Sequence, residues 1–475
     1  MTDLDRTPPS TAPLSPQDPG PPNRDTRSLG FPVVGIGASA GGLHAFQEVL
    51  THLPVDTGMA FVLIPHLDPT HESMMVPILS KSTRMPVKEV TEGLAVESNH
   101  VYVIPPNATM ILEGGILRLV PRSKVKHECI DYFMISLANE LAGKAIGVVL
   151  SGTASDGTEG CTAIKAEGGI TFAQDEASAK FPQMPKNAVA AGCIDVVLPP
   201  KRIAEELALV SRHPYLAASG TPVDAESPAG EAQDRQVMSK VFRLLRSATG
   251  VDFAHYKQGT IRRRLNRRMA LRKSQGLNQY FRFLEENPSE VRALHDEVLI
   301  NVTSFFRDPE TYESLKQNVF PRIARKETGD TVRVWVAGCA TGEEPYSIAM
   351  AFLEYLAETG LSIPMQIFAT DLSDKPIAKA RAGVYGAGIK ADVSEERLRR
   401  FFSPTVGGEY HISKAIRDLC VFAKQDLSKD PPFSRQDLVS CRNVLIYMDS
   451  TLQDRVITSF HYALKPTGFL VLGTS

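Results

Sequence analysis

Through the first half of the chain, apolar runs of strand length alternate with stretches whose apolar residues recur at helical spacing. FPVVGIG is followed by LHAFQEVLTHL and MAFVLIP; later come KAIGVVLSG, a helical stretch through CTAIKAEG, and the short runs GITFAQD and IDVVLP. Strand, helix, strand in this rhythm predicts a doubly wound parallel sheet. From Gln236 to about Asn301 the pattern is helical throughout, and the alternation then returns in VRVWVAG, PMQIFATD, DLVSCRN and GFLVLG. The expectation is an α/β protein with two doubly wound, mostly parallel-sheet domains and a small all-helical subdomain between them.

Two polar stretches divide the chain. Residues 1–30 are rich in proline and small polar residues, leave too little apolar surface to offset ordering entropy, and read as a disordered tail. AASGTPVDAESPAGEAQD, Ala217 to Asp234, reads as a linker, which we bound at 213–235. The expected units are therefore 31–212, the helical 236–300 and the second sheet domain 301–475.

Composition narrows the classes. With 43% hydrophobic and 22% charged residues the chain reads as soluble, and no apolar run approaches the roughly 18 residues of a membrane span. The N-terminus lacks the basic start and apolar core of a signal peptide, so a cytoplasmic protein is expected. Cys129, Cys161, Cys193, Cys339, Cys420 and Cys441 contain no C-x-x-C pair, which favours reduced thiols and no metal. A net charge of −2 supplies no global field for nucleic acid or an anionic membrane.

VVGIGASAGGLHAF, Val33 to Phe46, carries two overlapping signatures. Gly35-x-Gly37-x-x-Ala40 fits a dinucleotide-binding turn, and Gly37-x-Ser39-x-Gly41 fits a nucleophile elbow. A dinucleotide site needs an acid closing the second strand, where this chain has Pro65-His66. Right-handed crossovers put the carboxyl ends of consecutive parallel strands on one edge, so Ser39 and His66 share it. The strand ending in SGTASDG brings Asp156 there as well. Serine, histidine and aspartate are the set that deprotonates a hydroxyl and holds the resulting imidazolium. Taken singly, Ser39 could cap the next helix and Asp156 could be a turn residue.

GIGASAGG, LIPH, YVIPPN, LSGTASDGTEG, AQDEASAKFPQMPKNAV and AGCIDVVLP together resemble the catalytic domain of the CheB chemotaxis protein-glutamate methylesterases, over about Phe31 to Arg212. The resemblance places that family's triad on Ser39, His66 and Asp156, with oxyanion donors among the SAGG amides and near Thr153. It implies hydrolysis of glutamyl methyl esters and, as a further expectation, deamidation of glutamines. The receiver domain that commonly precedes this esterase does not fit into 30 residues.

In the second domain, VRVWVAGCATGEEPYSIAM places a strand, Gly338-x-Ala340-x-Gly342 and a helix, and Asp371 closes the next strand where a ribose-binding acid belongs. LKPTGFLVLG has the turn-then-strand form of class I methyltransferases. DPPF, Asp430 to Phe433, mimics an amino-methyltransferase motif but precedes the strand it should follow, so it reads as a loop. In YKQGTIRRRLNRRMALRK, Ile261, Leu265 and Met269 bury one helical face while Arg262, Arg263, Arg264, Arg267, Arg268 and Arg272 project elsewhere. Such a run is a solvated face, an RNA patch or a dock for an acidic helix.

NVTSFFRD, CATGEEPYS, ATDLS and SCRNVLIYMD resemble the CheR chemoreceptor glutamate O-methyltransferases, from about Gln236 onward. The resemblance implies S-adenosylmethionine held by Asn301, Thr303, Arg307, Glu344, Asp371, Asp426, Leu427, Arg442 and Asn443, with Tyr447 near the transferring methyl. It implies chemoreceptor helices as partners, and a continuation beyond VLGTS that leaves the second domain incomplete and less stable than the first. The combined expectation is a bifunctional adaptation protein. The alternatives are an RNA or small-molecule methyltransferase fused to an unrelated hydrolase, and an inactive scaffold that tethers receptors.

Overall fold

The computed structural model describes residues 29–66, 73–121, 128–216, 228–299, 303–325, 330–390, 392–405 and 408–473. The tail up to Ser28 and the stretch 217–227 of the expected linker lie outside them.

The first domain is built on strands β1 (Val33–Ala38), β2 (Ala60–Pro65), β3 (Val87–Glu89), β4 (Val101–Val103), β5 (Ala145–Val149), β6 (Ile170–Gln174) and β7 (Val196–Leu198). They form one parallel sheet in the order β7-β6-β5-β1-β2-β4-β3. The central strands β1, β2 and β5 are buried along their whole length, as expected for strands covered on both faces. Phe46 and Val49 of helix α1 (Gly42–His52) pack on one face with Val34 and Ile36. Ile130, Phe133 and Leu137 of helix α2 (Cys129–Leu141) pack on the other. Helix α3 (Thr158–Ala166) follows β5. A small antiparallel sheet of Leu94–Ala95, Ala108–Glu113 and Ile116–Pro121, absent from the sequence reading, lies beside the main one.

The glycines of the ambiguous motif have a packing role. A Cβ on Gly37 would sit 2.4 Å from Cγ2 of Ile130, and one on Gly35 3.2 Å from Cε1 of Phe133. Gly35-x-Gly37 therefore admits helix α2 against β1 and needs no dinucleotide to account for it.

The helical subdomain comprises α4 (Pro228–Thr249), α5 (Gln258–Leu271), α6 (Leu277–Glu286) and α7 (Pro288–Val298), so helix begins within the stretch read as linker. In the second domain β8 (Val332–Ala337), β9 (Met365–Asp371), β10 (Cys420–Lys424), β11 (Gln436–Cys441) and β12 (Leu464–Leu472) form a parallel sheet in the order β10-β9-β8-β11-β12. Helix α8 (Glu343–Thr359) follows β8. The region around Gly408 forms the expected antiparallel excursion, with Tyr410–Ile412 paired to Val384–Tyr385 and Phe402–Pro404. DPPF lies in a loop ahead of β11, where Phe433 stacks on Phe368 at 4.8 Å and meets Trp335 edge-on.

The basic run forms α5 and buries Ile261, Leu265 and Met269 as expected, but its arginines are not a free face. Arg264 and Arg267 are 2% and 0% exposed. Their guanidinium groups reach the first domain, where Arg264 donates to the carbonyls of Lys165 (2.7 Å) and Ala166 at the end of α3. Arg267 donates to the Gly169 carbonyl (2.7 Å) and pairs with Asp195 and, at 2.6 Å, with Glu297 of α7. Arg268 and Arg272 pair with Glu290, Arg262 with Asp234 and Arg263 with Glu167. Part of the basic face is thus taken up within the chain, while Arg262 and Arg272 remain 50% and 47% exposed. The physical reason is the cluster of carbonyls at the end of α3 and just before β6, which the planar forks of N–H donors match. Burial alone would raise the Asp195 carboxyl, but Arg267 and Lys165 outweigh it and hold it below its ordinary value.

At the other end of α3, Glu159 faces Asp392 of the second domain. Burial, then Asp392 and Glu128, push its carboxyl up from 4.5 to about 7.

Arg267→Ala leaves Asp195 and Glu297 buried without their cation and is expected to cost about 3–5 kcal/mol in urea unfolding. Because the folded value of Glu159 lies above 4.5, its share of stability is complete at low pH and is lost as pH rises toward about 7. Glu159→Gln should flatten the dependence of unfolding stability on pH between about 5 and 8 in urea titrations.

Candidate active sites on the two sheets

Ser39, His66 and Asp156 follow β1, β2 and β5 and meet at the carboxyl edge of the first sheet. The chain leaves β1 with the Ser39 amide bonded to the Ser151 carbonyl at 3.0 Å and turns through Gly41 at φ 75°, a left-handed conformation that suits glycine. Helix α1 has no side-chain cap, so Ser39 does not serve as one. Its Oγ lies 3.1 Å from Nδ1 of His66, whose Nε2 lies 2.7 Å from Oδ2 of Asp156. The imidazole is 30% exposed and the carboxylate 4%.

Asp156 is held by a group the sequence reading missed. Oδ2 also accepts from the Ile130 amide at 3.1 Å, and Oδ1 from the Asp131 amide at 2.8 Å. Both belong to the first turn of α2, so the positive end of a helix stabilises the buried charge. The Asp131 side chain accepts from the Gly160 amide at 2.7 Å, and burial followed by the neighbouring Asp156 raises its own carboxyl well above the ordinary range. The helix starting at Cys129, and its aim at Asp156, were not read from the sequence.

Around the nucleophile, Ser151 Oγ donates to the Ala40 carbonyl at 2.9 Å and accepts from the Phe181 amide at 3.0 Å, which ties the SAGG turn to the loop after β6. The Gly152 amide is bonded to the Phe181 carbonyl, and a Cβ on Gly152 would approach that of Ser39 to 2.9 Å. The Ala40 and Gly41 amides donate no hydrogen bond among the described residues.

A cavity opens at the carboxyl edge of the second sheet. Thr303, Arg307, Glu344, Asp371, Asp426, Leu427, Arg442, Asn443 and Tyr447 all line it; Asn301 lies outside the described residues. The chain enters α8 through Gly338 (φ 77°), Ala340 (φ 44°) and Gly342 (φ 96°). A Cβ on Gly338 would meet Cγ2 of Val444 at 2.3 Å. Asp371 braces this turn, with Oδ2 accepting from the Ala340 amide and Oδ1 from the Ser373 amide, each at 2.9 Å. Burial raises both Asp371 and Glu344, and Ser440 donates to Glu344 at 2.6 Å.

Arg442 donates to the Arg307 carbonyl at 2.7 Å and pairs with Asp308 at 2.6 Å, so Asp308 answers to Arg442. Thr303 caps no helix; the next begins at Pro309. Tyr256, from the helical subdomain, is a lining residue that no motif signalled. The subdomain is anchored at the rim, where the Lys257 amide donates to the Tyr447 carbonyl at 2.8 Å. Buried Gln425 Oε1 and Arg442 Nε, both on lining residues, have no partner among the described residues. A cavity with paired carboxylates, apolar Leu427 and Val444 and unanswered polar atoms fits an amphipathic, cationic ligand of the S-adenosylmethionine class.

Residues 34–207 match the CheB methylesterase family, residues 236–299 the all-alpha domain of CheR methyltransferase, and residues 301–475 its SAM binding domain. Chemotaxis protein methyltransferase Cher2 of Pseudomonas putida is 34% identical over 49% of this chain and 88% of its own length. The chain belongs to the CheR methyltransferase family and carries a CheB methylesterase domain. An uncharacterised 104.1 kDa protein of Rhodobacter capsulatus shares 40% identity over 84% of this CheB–CheR chain, which spans 44% of that relative. The Thermotoga maritima CheB methylesterase catalytic domain aligns over 38% of this chain and 97% of its own, at 28% identity and a TM-score of 0.36. Among the described residues no helix is long and apolar enough to cross a membrane.

In the CheR domain, Gly338→Ala is expected to lower affinity for S-adenosylmethionine by at least about tenfold in calorimetry, because the new methyl drives Val444 into the turn. Methanol release at the CheB site should not change.

Proposed function

We propose that the chain hydrolyses glutamate methyl esters at Ser39, His66 and Asp156, and methylates glutamates in the cavity bordered by Arg307, Asp371 and Tyr447. The substrates of both reactions would be cytoplasmic helices of chemoreceptors. The observation that carries the esterase reading is the unbroken relay from Oγ to Nδ1 at 3.1 Å and from Nε2 to Oδ2 at 2.7 Å.

Nδ1 of His66 takes the Ser39 proton as Oγ attacks the ester carbonyl. The imidazolium donates from Nε2 to Asp156, whose charge the Ile130 and Asp131 amides sustain. Amides of the SAGG turn and near Thr153 are the assigned oxyanion donors; one such donor is worth on the order of 10² in rate. His66 then returns the proton to the departing methoxide, and a water repeats the sequence to release the acid. The same steps on a side-chain amide deamidate glutamine.

When bound, S-adenosylmethionine supplies an electrophilic methyl on a sulfonium. Asp371 and Glu344 meet the donor's polar groups, while Leu427 and Val444 exclude water from its apolar surface. Arg442 holds the Arg307 loop in place, and Arg307 and Tyr447 orient the reactive end. The acceptor carboxylate is already a nucleophile at neutral pH, so alignment and desolvation supply the acceleration without a general base.

Ser39→Ala should abolish release of labelled methanol from methylated receptor, and Asp156→Asn should lower its kcat by about 10⁴ through the wrong imidazole tautomer. Undiminished release by either variant removes the relay from the reaction. Asp371→Ala should abolish binding of S-adenosylmethionine while methanol release persists.

A further inference from the structure

The esterase relay has a neighbour that its chemistry does not use. Cys129, the first residue of α2, is partly buried, and its Sγ, a ring nitrogen of His66 and a carboxylate oxygen of Asp156 all lie within 4.8 Å of one another. Thiolate, imidazole and carboxylate are the ligand types that Zn²⁺ selects, at about 2.0–2.3 Å from the ion, which places tetrahedral ligands roughly 3.3–3.8 Å apart. The Asp156–His66 contact of 2.7 Å is shorter than that spacing, so an ion entering here replaces the bridging proton and spreads the pair by under about 1 Å. Oδ1 of Asp156 keeps its bond from the Asp131 amide throughout. The imidazole is 30% exposed, which leaves the fourth position open to water.

We propose that His66, Cys129 and Asp156 form a binding site for a thiophilic divalent cation of the Zn²⁺ class, which switches the esterase off. The proposal rests on the esterase reading of this site. Coordination at Nε2 drives the proton of the neutral ring onto Nδ1, the nitrogen that faces Ser39 at 3.1 Å. An N–H there donates to Oγ and cannot take its proton. Cys129 releases its own proton to solvent on binding, so occupancy rises with pH. The ion remains divalent, with no electron transfer.

The other thiols compete poorly, because burial pushes up Cys161, Cys339, Cys420 and Cys441 and takes Cys193 up to about 11. The cavity of the second sheet is lined by neither cysteine nor histidine. Zn²⁺ would therefore silence demethylation and spare methyl transfer on the same chain, shifting the balance toward ester.

The test uses the full chain, stripped with a chelator and titrated with Zn²⁺ held at defined free concentration. One bound ion, loss of methanol release on saturation, recovery with chelator and unchanged methyl transfer are expected. Cys129→Ser should retain methanol release without the metal and lose about 100-fold or more in Zn²⁺ affinity, since even outer-shell changes cost 10–100-fold. Cys129→Ala serves if the serine variant misfolds, and methyl transfer reports folding in both. Co²⁺ should give a near-ultraviolet thiolate charge-transfer band in the unaltered chain and none in the variants. Equal inhibition of the Cys129 variants, or an ion bound at this thiol with methanol release intact, overturns the proposal. Absence of the Co²⁺ band overturns it as well, and because that band needs no turnover it separates this failure from failure of the esterase reading.

Discussion

A negative charge buried at the positive end of a helix organises the first domain. Asp156 sits almost out of water, with the His66 imidazole 2.7 Å from its Oδ2. Burial, with Asp156 beside it, pushes the neighbouring Asp131 carboxyl well above the ordinary range. Two amides of the first turn of α2 point at the oxygens of Asp156. For those amides to arrive, α2 must lie close on β1, and only the absence of side chains at Gly35 and Gly37 permits that approach. The nucleophile motif and the carboxylate support are thus one packing arrangement.

The second organising feature is the junction between the two sheets. Two guanidinium groups from α5, of Arg264 and Arg267, enter the end of α3 and the start of β6, donating to carbonyls there and pairing with Asp195. Buried ion pairs of this kind add little net stability against apolar substitutes, but they are unforgiving of a missing partner, which makes them devices of registry. The two domains meet at both ends of α3, through Arg264 and Arg267 at its end and through Glu159, facing Asp392, at its start.

Much of the site was legible from the chain alone. Three strand ends, each followed by a polar residue of the right type, sufficed to propose Ser39, His66 and Asp156, and crossover handedness put them on one edge. The Gly338-x-Ala340 turn was a weaker signal, equally readable as a tight strand-to-helix connection; with Asp371 it lines the cavity of the second sheet. Charge pattern was the poor guide. It marked the arginines on and just after α5 as a solvated face or a surface for a partner, and periodicity correctly named the apolar face beneath them. Which of the other faces meets solvent depends on what folds against it, and that partner is about 100 residues away, as the separation of Arg267 from Gly169 shows at 98.

The sequence by itself determined the local matters: the period of each element, the glycines that turns and close approaches require, and the identity of groups able to move a proton or hold a cation. Tertiary structure decided the roles that need convergence from distant segments. It aimed the start of α2 at Asp156, brought Tyr256 into the second cavity, set Cys129 beside the relay and turned Arg264 and Arg267 inward. The physical reason is range. Periodicity and backbone sterics act over a few residues, whereas desolvation and charge pairing depend on neighbours that only the folded chain assembles.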